Sequence, residues 1–327
     1  CMRFILVSAT TIQSNAESFI LGCIADTIGC CFISCLIFLN RTIIKTIMMK
    51  DKNLKILVAS HKPDRVYHDD VYTPIHVGRA ISKFKNEMAD MIGDDTGDNI
   101  SSKNGEFCEL TAIYWAWKNL KDADYIGLAH YRRYFETKFT SANIEDVFKT
   151  HDVILAKPYL HDRYNEMKMA RTLDMEDEVI FLKVFKRLFP EYEQTLINYM
   201  YGFKDYSYNM FVMKKETFND YCSFLFSILF ECDKLMKPLP YTCSSRRLGY
   251  IAEYLLPIYC FHHKLRIRTE PVVSFIGESG DSSNNYKQML KIEFLKKIYG
   301  KHKPKSIEDM CMQSVLIGLK NDGIKFD

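Results

Sequence analysis

Two adjacent arginines, Arg132 and Arg133, directly follow His130 and Tyr131. Guanidinium groups form paired hydrogen bonds with phosphate oxygens, so this cluster could bind a phosphate or a diphosphate. The preceding residues 125–129 are apolar and few, which predicts a buried strand rather than a helix. Ligands of open α/β sheets bind beyond the carboxyl ends of the strands, where this cluster would lie. Alternation along a strand would instead send the two arginines to opposite faces as ordinary surface charges.

A cation and a carboxylate are spaced to share one face of a predicted helix. Arg246 and Glu253 are seven positions apart, which is nearly two helical turns. Glu253 could therefore act as a general base beside a positively charged group. The alternative is an ion network of Arg246, Arg247 and Glu253 on the helix surface, which would contribute little to stability.

An acidic loop, DDTGDN, occupies residues 94–99. Its carboxylates could bind Mg²⁺ or Mn²⁺, although the ligand spacing and the closing Glu of an EF-hand are missing. Asp98 and Asn99 are the candidates for ligand contacts in this loop, and a solvated loop of the same composition is the alternative. Asp122 and Asp124 form a D-x-D pair, but they precede the predicted strand and are interpreted as solvated turn residues. We therefore assign no metal ligand and expect no cofactor, with Mg²⁺ or Mn²⁺ as the alternative.

The histidines and the common catalytic motifs narrow the chemistry further. His130 is a candidate catalytic residue, although a lone His at a strand end is often a hydrogen-bonded structural residue. His262 and His263 have no third metal ligand nearby in the sequence, so no metal site is predicted there. The chain contains no Walker loop, no G-x-S-x-G elbow and no H-E-x-x-H motif. These absences argue against nucleotide hydrolases, serine hydrolases and zincins.

The composition is typical of a globular protein, because 47% of the 327 residues are hydrophobic and 26% are charged. The formal net charge of +3 is too small for a nucleic-acid-binding protein, so no nucleic-acid partner is expected. The eleven cysteines show no C-x-x-C spacing. This pattern predicts reduced, mostly buried thiols and a cytoplasmic location.

The chain divides into three predicted parts. Residues 1–47 contain an apolar run and are interpreted as an upstream extension outside the true protein, with a membrane anchor, a buried helix or a signal segment as alternatives. Residues 50–280 are predicted to form the catalytic domain, and residues 281–327 a basic amphipathic tail. Within this tail, residues 286–305 interleave apolar side chains with lysines. Such a helix could lie on an anionic membrane surface or pack against the domain.

Apolar patterning predicts that strands and helices alternate along the chain. Helices are predicted at residues 104–120, 176–201, 217–235 and 246–256, and strands at residues 54–61, 125–129, 152–156, 209–213 and 266–275. The last of these helices is predicted to end before Pro257. This order predicts an α/β fold with a mainly parallel sheet and a helical C-terminal portion.

Five motifs in a fixed order carry a resemblance to a known family. They are YxPIHVG (residues 72–78), DDTGDNISxKNxxFCELTAIYWAWKN (94–119), DADYIGLAHYRRYF (122–135), NMFVMKKETFNDYC (209–222) and RxxGYIAEYLL (246–256). This set resembles a bacterial family, catalogued as a domain of unknown function, from capsule and exopolysaccharide gene clusters. Its members are regarded as glycosyltransferases. The similarity covers residues 54–278.

The resemblance implies a fold, a reaction and a location. The fold would be GT-A-like and would bind a nucleotide sugar. The enzyme would move a hexosyl group from a nucleoside diphosphate sugar, such as a UDP-hexose, to a polysaccharide or a lipid-linked oligosaccharide. It would act in the cytoplasm, at the inner face of the cell membrane. The alternatives are a non-catalytic module that binds a nucleotide sugar or a glycan, and a metal-dependent phosphoryl or sugar-phosphate transferase.

The resemblance also suggests a role for each candidate residue. The diphosphate would be contacted by Arg132, Arg133 and Arg246. The nucleotide pocket would be lined by His61 and Tyr131. The sugar hydroxyls would be bound by Asp98, Asn99 and Asn209. Glu253 would deprotonate the acceptor hydroxyl, and His130 would be the second catalytic residue. In GT-A enzymes, a metal-binding D-x-D motif would fall where this sequence has His130, Arg132 and Arg133. The two arginines would therefore supply the positive charge that a metal ion otherwise provides.

Overall fold

The computed structural model describes residues 52–238, 245–275, 286–299 and 303–326. The N-terminal extension predicted at residues 1–47 lies outside these residues. The strands are β1 (Leu54–Ser60), β2 (Tyr72–His76), β3 (Ile92–Gly93), β4 (Tyr125–His130), β5 (Arg133–Phe135), β6 (Val153–Ala156), β7 (Tyr159–Leu160), β8 (Lys204–Asp205), β9 (Phe211–Lys214), β10 (Ile267–Glu270) and β11 (Val272–Ser274). The α-helices are α1 (Asn104–Phe107), α2 (Leu110–Asn119), α3 (Ile144–Thr150), α4 (Asn165–Met169), α5 (Met175–Leu188), α6 (Glu193–Met200), α7 (Lys215–Leu235), α8 (Arg247–His262), α9 (Tyr286–Tyr299), α10 (Ile307–Met310) and α11 (Gln313–Asn321).

The central sheet has the strand order β10-β6-β9-β4-β1-β2-β3, and β5 joins β4 to β11. β1 is parallel to both β2 and β4, and β6 is parallel to β10, whereas β9 is antiparallel to its neighbours β4 and β6. The predicted α/β fold with a mainly parallel sheet and helices in the C-terminal portion is therefore confirmed. The carboxyl ends of β1, β2, β4 and β6 and the start of β9 all meet at one edge of this sheet.

The sheet is covered on both faces, which explains the almost continuous burial of β1 and β4. Along β1, Leu57 and Ala59 pack into one hydrophobic cluster, and Ile56 and Val58 pack into the cluster on the opposite face. Gly127 in β4 allows β9 to approach, because a Cβ atom there would lie 2.8 Å from the carbonyl oxygen of Phe211. The sheet is therefore a rigid support for the side chains at its carboxyl edge.

Three predicted element boundaries were wrong. The helix predicted from Asn104 is split at Cys108, whose φ of 51° interrupts the helical backbone between α1 and α2. β9 begins at Phe211 and not at Asn209, because Tyr208 and Asn209 have φ angles of 81° and 52°. The helix α8 continues through Pro257 to His262. Burial of almost every side chain of α8 against its neighbours compensates for the hydrogen bond that Pro257 cannot donate.

The C-terminal helices belong to the same compact unit, which begins at Lys52. The helices α10 and α11 pack against α5, and Ile307, Cys311 and Leu319 are buried in the larger hydrophobic cluster. Among the helices of the described residues, none is both long enough and apolar enough to cross a membrane. The predicted amphipathic helix is α9, which buries Ile292 and exposes Phe294.

A buried ion pair ties α8 to α5. The guanidinium of Arg247 lies 3.3 Å from Asp177 and 3.4 Å from Glu106, and the side chains of Arg247 and Asp177 are each only 3% exposed. Arg247 is therefore not part of a surface network with Arg246 and Glu253, as one interpretation of the sequence proposed. Instead, its charge is paired with the buried carboxylate of Asp177 and the partly exposed carboxylate of Glu106.

We expect the Arg247→Met variant to lower the free energy of unfolding by about 3 kcal/mol, because Asp177 would remain buried without its cation. Urea unfolding followed by circular dichroism measures this change. The Lys149→Met variant is the control, since the Lys149–Asp146 pair is more than 70% exposed on both sides and should change stability by less than about 0.5 kcal/mol. Equal effects of the two substitutions would contradict a structural role for the buried pair.

Candidate functional site

A cavity of about 440 Å³ opens at the carboxyl edge of the sheet, beside the ends of β1 and β4. It is lined by the guanidinium groups of Arg133 and Arg246, the imidazoles of His61 and His130, and the carboxylate of Glu109. The remaining lining residues are Ala59, Val77, Asn104, Gly105, Cys108, Tyr131 and Ser245. Because two arginines face a single carboxylate, this cavity favours an anionic ligand. We call it the cationic cavity.

The sheet and the helix α8 position the imidazole and the two arginines of this cavity. His130 is the last residue of β4, and Arg133 is the first residue of β5 after a tight reversal of the chain. Arg246 immediately precedes α8, a helix of 16 residues with no acidic residue in its first turn. The positive end of the α8 dipole therefore adds to the charge of Arg246 at the cavity wall.

The two adjacent arginines do not share one site. The guanidinium carbon of Arg133 lies 4.6 Å from the ring centroid of Tyr208, at the cationic cavity. Arg132 instead pairs with Asp64, with its Nη2 atom 2.6 Å from a carboxylate oxygen. Arg132 and Asp64 line a different cavity of about 790 Å³. Arg132 lies in the turn after β4, whereas Arg133 begins β5, and their side chains line different cavities.

The cavity beside Arg132 is an aromatic cleft. Its rings are those of Tyr67, Tyr131, Tyr134 and Phe275, and both Tyr67 and Phe275 are exposed. Tyr131 lines this aromatic cleft as well as the cationic cavity, and its ring meets that of His61 edge to face at 5.6 Å. Partial burial and nearby cations, first Lys62 and then Arg246, lower the pKa of His61. The two cavities are therefore neighbours that share one tyrosine wall.

Two residues in a left-handed backbone conformation connect the cavity to Glu253. The Nε2 atom of His130 donates a hydrogen bond of 2.7 Å to the carbonyl oxygen of Tyr208. The N–H of Tyr208 in turn donates to the carboxylate of Glu253. The positive φ angles of Tyr208 and Asn209 are costly for residues other than Gly, so these surrounding contacts must stabilise them. His130 thus has the hydrogen-bonded role that the sequence left as an alternative.

Asn209 is fully buried behind the cationic cavity. Its Nδ2 atom donates to Glu109 at 2.8 Å and to the carbonyl oxygen of Gly249 at 3.2 Å. Its Oδ1 atom is buried and has no hydrogen-bond partner among the described residues. Gly249 leaves room for Cys108, because a Cβ atom at residue 249 would lie 3.1 Å from the Cys108 sulfur. The arrangement orients Glu109 toward the cavity that it lines.

Glu253 is a largely buried carboxyl group with a raised pKa. Its side chain is 18% exposed and lies 3.7 Å from the Nζ atom of Lys168. Burial raises the pKa of Glu253 to about 7, Lys168 opposes this rise, and Glu109 and Asp205 add to it. A carboxyl group with a pKa near neutrality can accept a proton at physiological pH, which is the property required of a general base. Glu253 does not itself line the cationic cavity.

The polar side chains of the acidic loop at residues 94–99 form hydrogen bonds with groups of the protein itself. Asp94 accepts hydrogen bonds from Ser101 and from the backbone N–H groups of Gly78 and Arg79. Asp98 accepts from the hydroxyl of Tyr114, and Asn99 bonds within the loop, so neither lines the cationic cavity. Within the four described ranges, no group of three or more His, Cys, Asp or Glu side chains is arranged to bind a metal.

The D-x-D pair lies away from the cavity. Asp124 accepts a hydrogen bond of 2.9 Å from the N–H of Asn53, just before β1, and lies 3.8 Å from Lys52. These contacts place Asp124 at the amino edge of the sheet, opposite the cationic cavity. The interpretation of Asp122 and Asp124 as turn residues agrees with this position.

Sequence reasoning missed Glu109, Cys108 and Lys168. Glu109 directly precedes the apolar helix α2, and nothing in its local pattern distinguishes it from a residue that begins a helix. Lys168 lies on a separate short helix and reaches both Asp205 and Glu253 through the tertiary structure. The only available signal was the motif NxxFCEL, in which polar residues interrupt an apolar helix.

Comparisons with known proteins find a similar solved structure and a matching family. The structure is similar to the apo structure of WbbM, a bifunctional glycosyltransferase, with 30% sequence identity and a TM-score of 0.61. The match covers 68% of this chain and 45% of that chain. No curated protein sequence matches the chain. Residues 55–264 match the model of a family described as a domain of unknown function, DUF4422, and the chain therefore belongs to that family.

Proposed function

We propose that this protein is a glycosyltransferase that moves a hexosyl group from a nucleoside diphosphate sugar to a surface polysaccharide or a lipid-linked oligosaccharide. The observation that carries the proposal is the cationic cavity, in which Arg133 and Arg246 face a ligand-sized space beside Glu109. Similarity to WbbM, a bifunctional glycosyltransferase, supports the same class of reaction. We further propose a role in capsule or exopolysaccharide synthesis at the cytoplasmic face of the membrane.

The donor would occupy both neighbouring cavities. Its diphosphate would lie between Arg133, Arg246 and the start of α8, where fixed positive charge stabilises a departing anion. The nucleoside would lie in the aromatic cleft, on the far side of Tyr131. This placement assigns Arg132 to the nucleoside side of the donor and Arg133 to the diphosphate.

Glu253 would accept the proton of the acceptor hydroxyl. As the acceptor oxygen forms its bond to the anomeric carbon, the bond from that carbon to the diphosphate breaks and the diphosphate leaves with the electron pair. Tyr208 and Lys168 hold the carboxylate of Glu253 in place, and His130 holds Tyr208. His130 is thereby a positioning residue in this proposal, and Asn209 positions Glu109. The proposal requires no role for Asp98 or Asn99.

The test is incubation of the purified protein with a panel of UDP-, GDP- and dTDP-hexoses. An enzyme is expected to release the nucleoside diphosphate slowly by hydrolysis even without its acceptor, whereas a binding module is expected to bind the nucleotide and release nothing. Phosphorus NMR distinguishes the two outcomes. Binding without any release, also in the presence of candidate acceptors, would favour the alternative of a non-catalytic module.

We expect at least half of the donor turnover to persist in EDTA. The physical reason is that Arg133 and Arg246 can supply the positive charge that stabilises the leaving diphosphate. In the acidic loop, Asp94 instead accepts hydrogen bonds from the backbone N–H groups of Gly78 and Arg79. Turnover is measured with and without an excess of EDTA over any added metal, about tenfold. Complete loss of activity with rescue by Mn²⁺ would contradict this expectation and favour the metal-dependent transferase alternative.

A further inference from the structure

A third cavity, of about 830 Å³, lies at the same edge of the sheet but at its other end. It begins at Lys157, directly after β6, and passes over the two-stranded ribbon of β7 and β8. The helix α9 covers it with Ile292 and Lys296. Its volume is within the range of small-molecule sites, and no candidate residue of the donor site lines it. We call it the lysine cavity.

Its walls combine aromatic rings with cations. Phe203 and Tyr206 are almost fully buried, whereas Phe261 is 39% exposed within a cavity wall. Three lysines, Lys157, Lys204 and Lys296, also line the space. Rings of this kind offer apolar faces to a sugar ring or a hydrocarbon chain, and the ammonium groups would contact an anion.

Lysines outnumber carboxylates in the wall of this cavity. Glu293 is the one acidic residue among the described lining residues, and it pairs with Lys296 at 2.9 Å. Lys157 and Lys204 have no carboxylate within ion-pair distance among the described residues, although Lys204 adds to the effect of Lys296 in lowering the pKa of Glu293. A largely apolar cavity lined by three lysines and one carboxylate carries a net positive charge, which favours an amphipathic ligand that carries negative charge.

Hydrogen bonds from Asn165 hold one wall of the lysine cavity. The buried Nδ2 atom of Asn165 donates to the carbonyl oxygens of Tyr199 and Lys204, each at 2.9 Å. Both of these residues line the cavity. A fixed wall reduces the entropy that ligand binding would otherwise remove.

One short segment joins the lysine cavity to the candidate base. Lys204 and Tyr206 line the cavity, Asp205 pairs with Lys168 next to Glu253, and the N–H of Tyr208 bonds to Glu253. Four residues of chain span at most about 13 Å, which is a distance that a short oligosaccharide can bridge. A ligand anchored in the lysine cavity could therefore present a hydroxyl to Glu253.

We propose that the lysine cavity binds the acceptor, and that this acceptor carries a phosphate group, either as a lipid diphosphate or as a phosphorylated glycan. This inference rests on the proposed glycosyl transfer and adds the chemical class of the acceptor. Lys157 and Lys204 contact the phosphate, and Phe261 and Tyr206 contact the attached sugar or chain. The donor and acceptor then approach Glu253 from opposite sides.

The test compares the Lys157→Ala/Lys204→Ala double variant with the wild-type protein and with a Lys149→Ala control, whose lysine is exposed on α3. The probes are farnesyl diphosphate for the lipid source and a phosphorylated disaccharide for the glycan source, with UDP for the donor site. We expect the double variant to bind one of the first two probes at least about tenfold more weakly. UDP affinity should stay within about twofold of wild type in both variants, and the Lys149→Ala control should also keep the slow hydrolysis of the donor.

The probe that is affected identifies the source of the phosphate. A Phe261→Trp variant provides an independent readout, because its indole fluorescence should change when that probe binds and not when UDP binds. If neither phosphorylated probe binds the wild-type protein, or if the double variant loses UDP affinity in parallel, the inference is overturned. Failure of donor hydrolysis with intact probe binding would instead reject the proposed transfer reaction, so the two failures are distinguishable.

Discussion

Replacing Arg133 by Ala is expected to weaken UDP binding by about 1.5–3 kcal/mol and to reduce hexosyl transfer by about 10²–10³-fold. The reason is that Arg133 lines the cationic cavity, where it would bind a diphosphate whose charge increases as the bond breaks. Isothermal titration calorimetry with UDP and initial rates of donor turnover measure the two effects. The fold should survive, because Arg133 is a partly exposed residue at the start of β5.

The neighbouring arginine is the matched control. Arg132→Ala removes the same charge one position away, but its guanidinium pairs with Asp64 in the aromatic cleft. We expect this variant to affect nucleotide binding less than Arg133→Ala and to leave discrimination between UDP and UMP unchanged, because that discrimination depends on the second phosphate. Equal UDP affinity in the wild-type protein and the Arg133→Ala variant would remove Arg133 from the donor site.

Glu253→Gln is expected to lower the rate of transfer by about 10²–10⁴-fold while UDP binding changes little. Only the ionised carboxylate can accept the acceptor proton, and burial raises the pKa of Glu253 to about 7. The wild-type rate should therefore increase as the pH rises through about 7 and level off above it. In the variant this dependence should disappear. The test is kcat measured from about pH 5 to about pH 9, roughly two pH units on either side of the pKa of Glu253.

Glu178 provides a control with the same substitution and a similar ionisation. Burial raises the pKa of Glu178 to about 7 as well, but it lies on α5 and lines neither the cationic cavity nor the lysine cavity. Glu178→Gln should keep the wild-type rate and its pH dependence. If instead both variants show the same loss, the effect comes from packing and Glu253 is not the base. If Glu253→Gln retains full activity, Glu253 is not the base, and Glu109, the carboxylate that lines the cationic cavity, becomes the candidate.

The raised pKa values of Glu178 and Glu253 also make the stability of the fold depend on pH. A carboxyl group whose pKa is raised in the folded state binds its proton more tightly than in the unfolded state, so stability decreases as the pH rises from about 4.5 to about 7. The glutamine variants avoid this loss because they carry no charge. A modest gain in stability above pH 7 would therefore accompany the loss of activity in Glu253→Gln, which excludes unfolding as its cause.

Local patterns were sufficient for much of the fold. The apolar run before His130 forms β4, the long aromatic helix forms α7, and the break at Pro190 separates α5 from α6. Each of these elements depends on side chains that are close in sequence and repeat with the period of a strand or a helix. The resemblance to a family of unknown function, based on five ordered motifs, is confirmed by the family match over residues 55–264.

Other boundaries depended on the tertiary structure. The sequence around Pro257 favours the end of a helix, yet α8 continues because its residues are buried among neighbouring helices. The chain before β9 looks extended, yet Tyr208 and Asn209 adopt left-handed conformations that no local preference predicts. Contacts from His130, Glu109 and Glu253 stabilise this turn, and all three are distant in the sequence.

By itself, the sequence determined that this protein has a mainly parallel α/β sheet and that a His-Tyr-Arg-Arg cluster follows one of its central strands. Only the tertiary structure decided which of these residues share a cavity. It separates Arg132 from Arg133, joins Arg133 to Arg246 and Glu109, and places Lys168 against Glu253. The physical reason is that periodicity depends on the neighbours of a residue along the chain, whereas a binding site depends on where distant segments meet at the edge of the sheet.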